Sequence, residues 1–318
     1  MRRRVPGFVA AAFAMLPIAA HPHGFAGKRF FPATIATEDP FVSDELSLPT
    51  VSTSRSTESA DEPSTRETSV SVDFSKRITP DFGLSFGAAY LYQSPSGEPS
   101  TSGFDNIALG AKYQFFRSDA HETLLSIGLD WDVGGTGSKR VGAESFSTVS
   151  PTFFFGKGFG DLPQDMPYLK PLAVTGTIGV GIPTSTSSTT ASIDPDTGAT
   201  VTGVEQHPNV LQMGFSVQYS LMYLQEFVKD VGLVAPFDRM IPLVEVSLEK
   251  PLNRVADRTM TGTINPGVIW AGRTMQFAVE AIIPINRQSG HGIGWQAQLH
   301  WFLDDLFPHS IGRPLIGQ

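Results

Sequence analysis

In the stretch TMQFAVEAII, residues 274–283, Glu280 stands in phase with Gln276 and Ala278, while Met275, Phe277, Val279, Ala281 and Ile283 form the alternate set. Asp73, Arg77, Lys112, Asp130, Asp132, Glu245, Glu249 and His300 hold the same polar phase of their own stretches. Carboxylates and a few cations spaced by two on an apolar background can do one of two things. They can pair with one another as rigid filling, or they can line a wet passage. The residues alone leave both open. A carboxylate aimed at hydrocarbon would cost several kcal/mol, so the polar phase must face water and the other phase lipid. If the lumen conducts, Glu245 and Glu280, on strands separated by one other and near mid-depth, set a negative constriction that admits cations.

Other motifs suggest chemistry and lack its context. GLSFG at Gly83–Gly87 matches the nucleophile elbow, which needs a strand-to-helix turn, yet alternation runs through it to Tyr92. GGTGSK at Gly134–Lys139 lacks the spacing and the following helix of a phosphate loop. DPDTG at Asp194–Gly198 lacks the remaining oxygen ligands of a calcium loop, and Pro22 in HPH at His21–His23 removes a backbone donor that copper or nickel would use. Of seven histidines only His300 sits well inside an apolar stretch, with no serine assignable to it. No catalytic site, metal or cofactor is expected.

The elements that must position the polar phase are strands. SVSVDFSKRI, FGLSFGAAYLY, NIALGAKYQFF, LLSIGLDWDV, VLQMGFSVQYSLMY, LVEVSLEK, TMQFAVEAII and IGWQAQLHW all alternate, and looser versions lie at Ser147–Phe159, Leu172–Ile182 and Met260–Trp270. Each is near the nine to eleven or so residues that a tilted strand needs to cross a bilayer. A secreted β-sandwich also alternates, but sustained length with alternation, and aromatics at strand ends (Tyr90, Tyr92, Tyr113, Trp131, Tyr223, Trp270, Trp301), favour an all-β transmembrane barrel, antiparallel and up-and-down. Short connections at Thr79–Asp81, Arg117–His121 and Ala271–Thr274 read as periplasmic. Long Ser/Thr-rich ones at Gln93–Gly103, Gly134–Ser145 and Thr184–Gln206 read as extracellular, with Gln225–Met240 an exception to the rule. With both termini periplasmic the strand number is even, so a twelfth strand is expected within Leu46–Ser56 despite Pro49.

Composition bounds the rest. Charged residues are only 17%, there is no cysteine, and the net charge is −8. That balance offers no basic stripe for nucleic acid, and the absent thiols suit an oxidising compartment. Arg2, Arg3 and Arg4 precede an apolar run to Ala20 broken by Pro6 and Pro17. Residues 1–20 therefore read as a signal peptide, cleaved between 19 and 26. Residues 21–45 follow as a periplasmic segment or lumen plug, 46–303 as the barrel and 304–318 as a periplasmic tail.

GFDNIALGAKYQFF, HETLLSIGLDWDVGGTG, GTINPGVIWAG and FLDDLFPHSIGRPL resemble the outer-membrane barrel family named for the meta-cleavage pathway of phenol degradation, over most of residues 44–316. The resemblance implies a transporter or channel of the Gram-negative outer membrane for small hydrophobic or aromatic compounds, and carries no binding residues over. The chain departs from the usual barrel terminus, because its last strand ends near Phe302 and a tail follows. The expected partners are outer-membrane lipid, a small-molecule solute and the barrel-assembly machinery. A closed structural barrel is the alternative function, and a lipid-modifying barrel enzyme the third.

Overall fold

The computed structural model describes residues 24–58, 63–193 and 200–317. The signal-peptide reading, HPH at 21–23 and DPDTG at 194–198 lie outside the described residues. A two-strand hairpin, β1 (Phe25–Ala26) and β2 (Arg29–Phe30), opens the described chain. Gly27 sits at its tip with φ +61°, and a Cβ there would meet the Asp119 carbonyl oxygen at 2.2 Å, so the turn requires glycine.

The wall is built from β3 (Glu45–Arg55), β4 (Thr65–Thr79), β5 (Phe82–Pro95), β6 (Thr101–Phe104), β7 (Ile107–Ser118), β8 (Thr123–Val133), β9 (Thr148–Gly158) and β10 (Leu172–Pro183). A side hairpin of β11 (Ser187–Ile193) and β12 (Thr200–Gln206) comes next. The wall then resumes with β13 (Val210–Tyr219), β14 (Met240–Pro251), β15 (Thr261–Ala271), β16 (Met275–Pro284) and β17 (Gly294–Phe302). Strands β6 and β7 both pair with β5 and form one stave, so the wall has twelve. It closes where β17 pairs with β3, Trp301 opposite Leu46 and Phe302 opposite Glu45. The barrel is a closed twelve-strand antiparallel barrel, as the alternation and the parity of the strands predict.

The first stave is the expected strand with Pro49 inside it. Register shifts between Ser47 and Thr50, and opposite it between Gln298 and His300, show a bulge at the proline, which has no N–H to give to the ladder. The Thr184–Gln206 connection, expected as a loop, contains the β11–β12 hairpin. Its Thr- and Val-containing strands pair from Ser187 opposite Gln206 to Ile193 opposite Thr200, and β-branched residues suit a pleated ribbon.

Two faces separate as expected. On β16, Gln276 and Ala278 are fully buried and Glu280 is 1% exposed, whereas Phe277 is 47% and Val279 39% exposed. The exposed set faces outward. Inside, residues 24–44 pack against the wall near the end that carries the termini. Phe30 joins Ile241, Leu243, Ile269, Ala271, Ala278 and Phe302 in one apolar cluster. Phe31 and Phe41 join Ala26, Leu124 and Ala173 in another. Burying each such phenylalanine contributes roughly 1.5–3 kcal/mol. Near this end a short helix, α1 (Leu221–Tyr223), follows β13, and another, α2 (Leu303–Leu306), follows β17.

Tyr223 departs from the interfacial girdle expected of it. It is 5% exposed, because its ring sits 4.0 Å from the buried Arg29 guanidinium. Ala278, in the phase expected to face water, is instead fully buried in the apolar cluster that Phe30 joins. The outward face supplies the test of the wall. Val279→Arg is expected to destabilise the inserted barrel by about 2–4 kcal/mol in urea unfolding from lipid vesicles, with Val279→Leu close to neutral. Equal stability of the arginine variant would contradict a lipid-facing Val279.

Candidate functional site: a carboxylate cradle within the barrel

Glu245 faces inward from β14 because Val244 and Val246 take the outward phase. It is fully buried, and its carboxylate collects three successive backbone donors. Oε2 accepts from the amides of Ile35 at 3.0 Å and Ala36 at 2.9 Å, and Oε1 accepts from Thr37 at 3.0 Å. Successive amides converging on one anion form a concave donor set, here with the anion supplied by the wall. Glu280 meets Glu245 side chain to side chain and accepts from Gln296 Nε2 at 2.7 Å. Room for it comes from Gly267 on β15, where a Cβ would stand 2.3 Å from Glu280 Cγ. Gln276 donates its amide to the Ala33 carbonyl.

The other side of the segment is held by cations and hydroxyls. Lys112 Nζ reaches Glu38 Oε1 at 2.5 Å and donates to the Asp39 carbonyl at 2.8 Å, over the Phe154 ring at 4.5 Å. Ser126 donates to the Pro40 carbonyl at 2.5 Å. Asp44, fully buried, accepts from Lys76 Nζ at 2.6 Å and from the Arg77 amide and Nε at 2.8 Å each. Arg77 also reaches Asp304 at 3.5 Å and donates to Gly312 O at 3.2 Å. The structure thus uses Arg77 to tie the segment to the C-terminal tail.

The sequence-selected groups separate into two sets. Glu245, Lys112 and Arg77 bond the 24–44 segment, Glu280 meets Glu245 beside it, and His300 bonds the first stave. Asp73, Asp132 and Glu249 are exposed on the lumen phase and Asp130 is half-buried there. The mid-depth constriction expected of Glu245 and Glu280 is therefore covered in this conformation, because the segment's amides occupy one carboxylate and its packing shields the other.

His300 acquires partners that the linear order hid. Its Nδ1 lies 2.9 Å from Ser47 Oγ and its Nε2 lies 3.4 Å from Glu45 Oε2. The two residues come from the first stave and His300 from the last, so only barrel closure joins them. Hydroxyl, imidazole and carboxylate are all present, yet Ser47 and His300 are 8% and 1% exposed. The two larger cavities, about 410 Å³ near Lys28 and Phe227 and about 510 Å³ near Arg55 and Glu67, have neither Ser47 nor His300 in their walls. The arrangement reads as a structural tie at the barrel seam.

A second unforeseen group lies at the terminal end. Arg29, 1% exposed, donates to Glu122 Oε2 at 3.2 Å, to the Pro171 carbonyl at 2.8 Å and to the Lys170 carbonyl. Tyr223 donates its hydroxyl to Glu122 Oε1 at 3.1 Å. Burial, and next the Glu122 carboxylate beside it, push the Tyr223 phenol up to about 12. No alternation marks Arg29, Glu122 or Tyr223 as partners, since they come from a hairpin, a turn and a short helix far apart in the chain.

With this geometry in view, comparison with known proteins gives a fold and no closer kinship. No family model matches the chain, and no curated protein matches it. Among solved structures, an outer membrane channel from Pseudomonas putida F1 is similar with a TM-score of 0.57 at 11% identity, covering 85% of this chain and 99% of that one. The NanC porin has a TM-score of 0.45 at 10% identity over 80% of this chain and 98% of its own. The β domain of a Bordetella autotransporter has 0.48 at 13% identity over 82% and 99%. The fold is that of the outer-membrane β-barrels. At such identities the likeness shows the fold alone.

Two outcomes follow from the Arg29 clamp. Arg29→Ala leaves Glu122 buried without its cation and is expected to cost about 3–5 kcal/mol in urea unfolding; a cost below about 1 kcal/mol would remove the clamp from the fold. Spectrophotometric titration, taken as wild type minus Tyr223→Phe, is expected to show a phenol with its midpoint near 12. Because the folded value is raised above the unfolded one of about 10, this stabilisation is complete below about pH 10 and is lost as the pH rises through about 12.

Proposed function

We propose that the protein is a channel of the Gram-negative outer membrane whose lumen is half filled by its own residues 24–44 and whose open half selects small cations. In this reading residues 1–20 are a signal peptide, the terminal end faces the periplasm, and the barrel-assembly machinery inserts the wall among outer-membrane lipids. The observation that carries the reading is the distribution of charge on the lumen phase. Asp73, Asp130, Asp132 and Glu249 are exposed or half-buried there, while Lys112, which faces them, is already taken by Glu38 and by the Asp39 carbonyl. A narrow path with uncompensated acids between low-dielectric walls repels anions and concentrates cations.

This solute class differs from the small hydrophobic or aromatic compounds implied by the resemblance to the meta-cleavage family. The acids above the segment and the hydroxyl-rich mouth near Ser54, Ser56 and Thr65 favour a polar solute. The outer membrane channel that shares the fold supports a passage over the closed structural barrel and over an enzyme.

Planar-bilayer recording of the refolded protein is expected to show discrete current steps with cation-over-anion selectivity. Asp73→Asn, Asp130→Asn and Asp132→Asn together should lower that selectivity, most at low ionic strength where screening is weakest. Unchanged selectivity would make these acids filling, and electrical silence would support the closed structural barrel.

A further inference from the structure

We infer that the wall around Glu245 is a binding site for a small organic cation bearing N–H groups, an alkylammonium or a guanidinium, and that residues 33–37 occupy it as an internal competitor. The first support is what the site already binds. Its ligand in this conformation is a row of N–H donors from Ile35, Ala36 and Thr37, all accepted by one carboxylate. A carboxylate that collects neutral amides will also take a charged donor in the same geometry, where Coulomb attraction adds to hydrogen bonds that are already charge-assisted.

The second support is independent of the segment. Among the described residues, two buried amide oxygens on the neighbouring strands receive no hydrogen bond: Gln276 Oε1 and Asn265 Oδ1. These residues are 0% and 2% exposed, and Asn265 lies directly opposite Glu245 in the β14–β15 register. The Gln276 amide nitrogen donates to Ala33 O, so the oxygen is the atom left for a ligand. The Glu245–Glu280 pair, whose side chains meet around a shared proton, keeps net negative charge, and the unpartnered oxygens of Asn265 and Gln276 line the same wall with the segment in place. A ligand that matches them must bring several donors and positive charge, which a guanidinium or primary ammonium does and a carboxylate or sugar does not. A quaternary ammonium carries the charge without the donors.

The inference rests on the channel reading only for the route by which the solute arrives, and its test is independent of conduction. The chain has no cysteine, so Ala36→Cys gives a single thiol on the segment while keeping the backbone amide that Glu245 holds. In detergent-solubilised full-length protein, the rate of modification by a neutral thiol reagent is measured with methylguanidinium or tetramethylammonium at equal millimolar concentration. Methylguanidinium is expected to raise the rate about tenfold, the population shift that loss of one charge-assisted hydrogen bond brings. Tetramethylammonium is expected to leave it unchanged. Adding Glu245→Gln should raise the basal rate and abolish the response. Equal responses to both cations, or none to either, would overturn the site. Calorimetric titration of the wild type with the same two salts decides the matter even where the Gln variant does not fold, since heat from methylguanidinium alone is required. A response in a barrel that is silent in bilayers would keep the site and sink the channel reading; conduction without the response would do the reverse.

Discussion

Hydrocarbon offers no hydrogen-bonding partner, so each backbone N–H and C=O in a membrane wall must find one within the sheet. The pairing of β17 with β3 meets that demand by removing both edges. Closure in turn sets the interior. A barrel of about eight strands is filled by its own side chains, while one of sixteen or more leaves an aqueous channel. Twelve staves fall between. The lumen is too wide for wall side chains to fill, and here the terminal half is filled by residues 24–44.

That filling brings its own difficulty. The segment is mostly irregular backbone placed away from bulk water, and its amides and carbonyls need partners that no ladder supplies. The lumen phase of the wall provides them from side chains. Glu245 accepts three amides, while Gln276, Lys112 and Ser126 donate to the carbonyls of Ala33, Asp39 and Pro40. The polar phase therefore performs two tasks at two depths. Beside the segment it completes hydrogen bonds that would otherwise be lost, and elsewhere it leaves Asp73 and Asp132 exposed and Asp130 half-buried. Asp44 and Arg77 then fasten the segment's exit to the C-terminal tail, so both ends of the described chain are secured at one end of the barrel.

The wall was legible in the sequence because one property repeated along it. The period-two alternation separated Gln276, Ala278 and Glu280 from Phe277 and Val279, and the structure buries the first set and exposes the second. Parity pointed to a twelfth strand near Leu46–Ser56, and β3 runs Glu45–Arg55. Alternation works as a signal because each strand faces two solvents whatever its neighbours are, so membership of a face is a local property. Tyr223 shows where the local signal misleads: an aromatic after a strand reads as interfacial, and its partners Arg29 and Glu122, distant in sequence, draw it inward.

By itself, then, the sequence determined the strands, their two faces and their number. Only the tertiary structure decided which lumen groups stay wet and which are engaged. Glu245 and Asp130 look alike in sequence, an acid in the polar phase of a strand. One is buried against three amides of residues 35–37, and the other faces the lumen beyond the segment. The difference depends on where an irregular segment folds inside the closed barrel. It depends also on which strands closure makes neighbours, as for Ser47 and His300 at the seam. A segment without periodicity carries no record of the amides it turns toward a carboxylate some two hundred positions away.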